Sequence, residues 1–419
     1  MSVFTVFFSG TGSNSEDYNN ANYLNGELIS TLARNHQGIE FDDWLLADGP
    51  GSGNHQEDHK WTRPGYYLKP RGTLFGSGWE ENVKHAIAVI KKDPTHIRTK
   101  MTGTEKSILR NEMAKARSAG HDVPIDFGGV FRTPDRKITP QALQHERARI
   151  LRTPLPTCVN LIGWSRGAVT CHMMANAMRA DAELGDIPVN IFAVDPVPGT
   201  GNFQASRTTL GANVLNYFAV YARDERSAGF APIIPDVPGN SRLLSLPGRH
   251  ATLAGNAFAN GGDRGAQSFS APGKVVRHLA EEFLTSNGTQ LDACLDLNDL
   301  DLLGLYDEIL RDNEGYVAMR SHTYTVAEHA WRSTDRNVGV GSGYWGVGLG
   351  SLPMLRQPPV FVNWHHRDLY IKQFANAIEE AELLIGTAFA QSPLPVTTAR
   401  LYQAYDSVLG HRRDPVRGL

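Results

Sequence analysis

Apolar positions along this chain follow two alternating periods. Residues 2–8 (Ser2-Val3-Phe4-Thr5-Val6-Phe7-Phe8) and 157–163 are short, nearly continuous apolar runs, as are 189–194, 213–221 and 243–246. Runs of that length, bounded by turn residues, predict buried strands. Between them apolar residues recur every three or four positions, as with Val83, Ala86, Ile87 and Ile90 in 79–91, and Ala168, His172, Ala175, Met178 and Ala182 after Gly167. Similar patterns cover 24–34, 274–285, 297–311 and 367–385, and all of these predict helices. Thr102-x-x-Glu105 has the form of a capping box, and Thr139-Pro140 that of a cap followed by proline at the first helical position, so two further helices are expected there. Strand and helix in alternation predict an α/β fold, a mainly parallel sheet with helices on both faces.

Two stretches break the alternation. Residues 42–80 are crowded with Gly, Pro, Trp and Tyr from about position 45 onward and show no period, so they read as a long irregular insertion. Residues 255–365 begin glycine-rich and contain Gly339 to Gly350, with six glycines in twelve positions, a composition that suits a flexible lid or a packed surface loop. A length of 419 residues allows one large domain or two ordinary ones. One domain over 1–419, with 42–80 and 255–365 as insertions or lid-like segments, is the expected arrangement. No internal repeat is visible.

Composition narrows the classes. Hydrophobic content of 41% with 20% charged residues gives enough apolar material for a substantial core, and a net charge of −3 gives no reason to expect a nucleic-acid partner. Cys158, Cys171 and Cys294 are odd in number and lack metal-ligand spacing, which suits small core residues in a protein folded under reducing conditions. His55 and His59 flank Glu57 and Asp58, a cluster expected to be hydrated surface, so no metal and no cofactor is expected. No run approaches a membrane span, and the first strand has no basic segment before it. The chain is therefore expected to be made in the cytoplasm without a signal peptide and to leave, if it does, by a route that takes folded cargo.

The chemistry centres on Gly163-Trp164-Ser165-Arg166-Gly167, where the strand of 157–163 gives way to a helix. A serine on a sharp strand-to-helix turn, with glycine two positions to either side, is the arrangement of a nucleophile elbow. Such a serine needs a base, a carboxylate to orient the base, and N–H donors for an oxyanion. Among fifteen histidines, His250 follows the last strand-like segment and is favoured as base. His366 is the alternative base, beside His365; His322 and His329 are weaker rivals. Asp195 and Asp224 both end strands, and spacing alone does not separate them. Asp195-Pro196 suits a fixed loop, whereas Asp224 lies in a run of alternating charge of the kind that forms solvated salt bridges, so Asp195 is preferred and Asp224 is the alternative acid. The N–H of Arg166 and those of Gly10 or Thr11, in the small-residue loop after the first strand, are the candidate oxyanion donors.

Separated segments also share one pattern. Phe7-Phe8-Ser9-Gly10-Thr11-Gly12-Ser13-Asn14 resembles the F-F-D-G-T-G-N-N opening of the DUF2235 family, and Gly163-Trp164-Ser165-Arg166-Gly167-Ala168 resembles its G-F-S-R-G-A elbow. Val194-Asp195-Pro196-Val197 looks like its D-T-V segment. Ala222-Arg223-Asp224-Glu225-Arg226, with Phe230-Ala231-Pro232, looks like its L-D-E-R-x-x-F-x-P segment, and Leu246-Pro247-Gly248-Arg249-His250 like its F-P-G-x-H. Ser9 and Pro196 depart from the family's aspartate and threonine. That family includes phospholipase effectors of the type VI secretion system. The resemblance implies an α/β-hydrolase fold, a Ser165, Asp195, His250 triad, and hydrolysis of phospholipid acyl esters at a membrane surface. It further implies an immunity protein and a secretion-apparatus partner, with action in the periplasm or membrane of a target cell. Two other readings stay open: a serine esterase on soluble or glycan-linked esters, with Trp61, Tyr66 and Tyr67 shaping its pocket, and a non-catalytic interaction module on a hydrolase scaffold.

Overall fold

Strand β1 (Val3–Phe8) is buried at every position after its first, and β3 (Cys158–Trp164) and β4 (Val189–Val194) are buried throughout. Strands so apolar on both faces belong in the middle of a parallel sheet covered on both sides. In the computed structural model, which describes residues 2–50, 78–93, 118, 154–199, 201–258, 267–322, 335–341, 345–356 and 361–385 (side chains only to 375), they do so. Together with β2 (Trp44–Ala47), β5 (Val214–Ala222) and β7 (Asn240–Leu246) they form an all-parallel six-stranded sheet in the order β2-β1-β3-β4-β5-β7. The expected helix starts at Thr102 and Thr139, the cluster of His55 and His59, and Trp61, Tyr66, Tyr67 and His329 lie outside the described residues.

Alternate residues of each strand feed two cores, as the period of two requires. On one face Phe4, Val6, Val159, Leu161 and Ile191 pack under α2 (Trp79–Lys91) and α3 (Arg166–Ala180), through Val83, Ala86, Cys171 and Met174. On the other, Phe7, Ile162, Phe192 and Val220 pack under α1 (Leu28–Arg34), α4 (Ala271–Ser286) and α5 (Asp299–Arg311), through Leu32, Val276 and Tyr306. Helices therefore cover both faces of the sheet, and the fold class is α/β.

A polar row crosses the sheet near its N-terminal edge. Thr5, Asn160, Asn190 and Asn216 are register partners on successive strands. The Asn190 amide donates to Asn160 Oδ1 (3.0 Å) and the Asn216 amide to Asn190 Oδ1 (2.8 Å), while Asn160 donates to Thr289 Oγ1 (2.9 Å), which also bonds Thr5 Oγ1. A register slip would strand these buried amides without partners, so the row specifies the alignment. That alignment sets Trp164 opposite Val194, and Ser165 and Asp195 leave the sheet side by side.

Two expectations need correction. Residues 44–47, assigned by sequence to an irregular insertion, are the edge strand β2, parallel to β1. The glycine-rich stretch beginning at 339, expected as a flexible lid or a packed surface loop, is β-strand over 339–340 and 345–348. β8 (Asn337–Val340) pairs antiparallel with β9 (Trp345–Gly348) and parallel with β6 (Ile233–Ile234), forming a separate three-stranded sheet.

Candidate functional site

From β1 the chain crosses to β2 on one side, then returns to β3 on the other and continues through β4, β5 and β7. The connections thus change direction between β1 and β3. Open parallel sheets bind ligands at such a switch point, outside the carboxyl ends of the strands. Ser165 follows β3 directly, and Gly10 and Thr11 follow β1, so serine and candidate oxyanion loop face each other across it.

The elbow is strained and tightly built. Ser165 has φ 59 and ψ −128, a conformation that costs a non-glycine residue about 1–3 kcal/mol and persists only where its surroundings enforce it. Here its N–H donates to the Val194 carbonyl at 2.9 Å. A Cβ on Gly163 would lie 2.4 Å from the Gly167 carbonyl carbon, and one on Gly167 would lie 2.1 Å from the Phe8 carbonyl oxygen. Both glycines are therefore required by close backbone approach. Gly10 has a similar reason, since a Cβ there would sit 2.3 Å from the Trp164 indole.

Asp195 and His250 meet. His250 Nδ1 lies 2.5 Å from Asp195 Oδ2, and both residues are buried. With the carboxylate accepting, Nδ1 carries the proton and Nε2 is the basic nitrogen of the neutral ring. The imidazole lies between Trp164 and Phe230, each with its ring centroid 5.1 Å away, which places His250 against the residue that precedes the serine. Asp195 has φ 44, and its Oδ1 also accepts the Ala222 N–H at 3.0 Å. Burial alone would raise its pKa, but the charge of Arg336 and the hydrogen bond from His250 outweigh it and hold the carboxyl at about 2.

Arg336 is the participant that the sequence reading missed. Its Nη1 donates to Asp195 Oδ1 (2.5 Å) and to the Ala222 carbonyl (2.6 Å), and its Nη2 to Asp195 Oδ2 (2.8 Å) and the Phe230 carbonyl (2.7 Å). The pairing spans 141 positions, and no local pattern around Asp335-Arg336-Asn337 announces it.

Asp224, expected in a solvated cluster, is fully buried and fixes the loop that carries His250. Its Oδ2 accepts the Gly248 N–H at 3.0 Å, its own N–H donates to the Gly248 carbonyl at 2.9 Å, and Arg223 and Arg320 neutralise it. The charges are paired inside the protein instead of in water, which is why their alternation misled. Glu225 adds a second pin, with Oε2 accepting the His250 N–H at 3.1 Å.

Arg166 opens α3, where the first N–H groups point out of the helix end. Its guanidinium runs between the two flanking loops, with Nη1 donating to Thr11 Oγ1 (3.0 Å) and Nε to the Pro198 carbonyl (3.3 Å), and burial lowers its pKa to about 10. His366, the alternative base, lies elsewhere. It stacks on Tyr306 at 4.7 Å, its Nδ1 accepts the Val362 N–H, and it touches none of Ser165, Asp195 or His250. His365 is held by the Tyr306 hydroxyl at 2.7 Å, and burial pushes it down to about 4. His322 is exposed.

A cavity of about 630 Å³ is walled by Phe203, Glu225, Arg226, Phe230, Ala231 and Arg336 among others; Ser165, Asp195 and His250 do not line it, and it meets the pair only through Arg336, Phe230 and Glu225, which contact Asp195 or His250. Among the described residues, no group of three or more His, Cys, Asp or Glu side chains is placed to hold a metal ion, and no helix is long and apolar enough to cross a membrane.

No family model matches this chain, so its likeness to DUF2235 rests on the motifs alone, and no curated protein matches it either. Solved structures resemble it only weakly, two of them as follows. One is the Tle1 effector bound to the VgrG spike of the type 6 secretion system, at 15% identity and TM-score 0.25, covering 60% of this chain and 50% of that one. The other is an uncharacterized protein from Pseudomonas aeruginosa, at 10% identity and TM-score 0.37, covering 99% of this chain and 60% of that one. The chain thus spans between half and three fifths of their length.

Proposed function

We propose that this chain is a serine hydrolase of acyl esters, with membrane glycerophospholipid as its substrate class. The observation that carries the chemistry is the 2.5 Å contact between His250 Nδ1 and Asp195, set beside a serine held at φ 59 on a strand-to-helix turn. In this reading Ser165 Oγ attacks the acyl carbonyl while His250 Nε2 takes its proton, and Asp195 holds the imidazole in the required tautomer. The N–H of Arg166, with that of Gly10 or Thr11, stabilises the tetrahedral oxyanion. Collapse expels the lysolipid alcohol with a proton from His250, and water then releases the fatty acid by the same route.

The lipid substrate, export by a secretion apparatus and a neutralising immunity partner follow from the motif resemblance and belong to the same proposal. The test is product analysis by mass spectrometry after incubation with phospholipid vesicles and, separately, with short soluble esters. Release of fatty acid from vesicles, reduced at least about a thousandfold in Ser165→Ala, supports the reading. Hydrolysis of soluble esters alone would move the substrate class while leaving the chemistry, and unchanged hydrolysis by Ser165→Ala would remove both.

A further inference from the structure

Arg336 joins the small sheet to the candidate triad. Its carbonyl accepts the Leu349 N–H at 2.7 Å, while Asp335 accepts the N–H of Arg336 through Oδ1 and that of Gly350 through Oδ2. Both ends of the β8–β9 hairpin are therefore tied at the root of this one side chain. The side chain itself is 2% exposed, and its four terminal N–H groups reach Asp195, Ala222 and Phe230. Asp195 is saturated in turn, each oxygen accepting two donors: Oδ1 from Arg336 and Ala222, Oδ2 from Arg336 and His250.

This arrangement changes the charge of the pair. An aspartate and a neutral histidine carry one negative charge, and taking up a proton makes them neutral. With Arg336 forked onto the carboxylate the buried group is neutral beforehand, and the same proton leaves it with a net positive charge away from water, which is costly. We infer that Arg336 is a positioning residue of the triad, one that fixes the Asp195 carboxylate against His250 and cancels its charge, so that the pair's affinity for a proton depends on this guanidinium.

Other charged groups around the pair are already matched. Glu225, beneath the His250 N–H, has Arg249 at 3.9 Å, and Asp224, behind Gly248, carries Arg223 and Arg320. Asp335 is held by two backbone N–H groups, Arg226 donates to the Arg223 and Glu225 carbonyls, and Tyr221, whose hydroxyl donates to the Ile233 carbonyl, is pushed up by burial and stays neutral. Among the described residues Arg336 is the one guanidinium ion-paired to Asp195.

The inference rests on the hydrolase reading of Ser165, and the test separates the two. The pH profile of kcat/KM is measured on a soluble ester with the full chain, Arg336→Met and Arg336→Lys. Loss of the cation in Arg336→Met is expected to move the acid limb up by about one pH unit or more, whereas Arg336→Lys keeps the charge and restores the native limb. A purely structural role would lower rates in both variants without moving the limb, and that result overturns the inference. Should Arg336→Met not fold, Arg336→Gln replaces it, since its amide keeps two N–H donors for Asp195. Proton uptake by the pair is also read by NMR of the His250 ring in Ser165→Ala, with and without the Arg336 substitution. Coincident titrations would sink this inference alone, while full activity in Ser165→Ala would sink the hydrolase reading and leave the titration to stand.

Discussion

Gly167 lies directly beneath the Phe8 carbonyl, so that a Cβ on it would fall 2.1 Å from that oxygen and 2.6 Å from the Ser9 carbonyl oxygen. The elbow helix and the end of β1 can approach this closely only because the position has no side chain. Both obstructing atoms are backbone and cannot rotate away. Gly167→Ala is therefore expected to destabilise the protein by about 2–3 kcal/mol and to displace Ser165 from the β1 loop. Chemical denaturation together with ester turnover checks it; a variant with native stability and native rate would show that this approach is not required.

Asp195 and Asp224 are both buried carboxylates on arginine, but only Asp195 touches the imidazole. Asp195→Asn, measured where the variant remains folded, is expected to lower kcat on the order of 10⁴-fold. Asp224→Asn leaves the partly buried Arg223 and Arg320 without their anion, so its loss is expected mainly in stability, on the order of 3 kcal/mol, with kcat within tenfold at a permissive temperature. Paired measurements of kcat and melting temperature distinguish them, and the opposite pattern would make Asp224 the acid.

Glu27 caps α1 through Oε2, which accepts the Ser30 N–H at 2.8 Å, but it is completely buried. Burial outweighs the hydrogen bonds from Ser30 and raises its pKa to about 7. Because the folded value lies above the ordinary one, the folded state holds the proton more tightly, and stability rises as pH falls from about 7 towards 4.5. Above that window the ionised carboxylate costs on the order of 3 kcal/mol. Glu27→Gln, which keeps the capping oxygen without the charge, is expected to raise the melting temperature at mildly alkaline pH and to leave it nearly unchanged near pH 4.5. An equal shift at both pH values would contradict this.

Legibility in the sequence followed the range of the interactions involved. The 79–91 helix and the 189–194 strand have the boundaries expected from periodicity, because each has enough consecutive apolar positions to reveal its own period. Strand β2 did not, since four residues between Asp43 and Asp48 cannot establish a period and its single pairing to β1 supplies the order. The β8–β9 hairpin was hidden by Gly339, Gly346 and Gly348, residues with poor strand propensity that are held here by pairing to β6 and to each other. At the site, Asp195 and His250 are legible because Asp195 ends a strand and His250 stands in the loop that follows the last strand-like segment. Arg336 is not, because nothing near it in the chain records what it meets 141 positions away.

The most direct test of the central claim is labelling of the full native chain by a fluorophosphonate, located by peptide mass spectrometry. Stoichiometric modification of Ser165, abolished by unfolding and slowed at least about a hundredfold in His250→Ala, is the expected result. Folded protein that takes no label at Ser165, or that is labelled equally fast without His250, would contradict it.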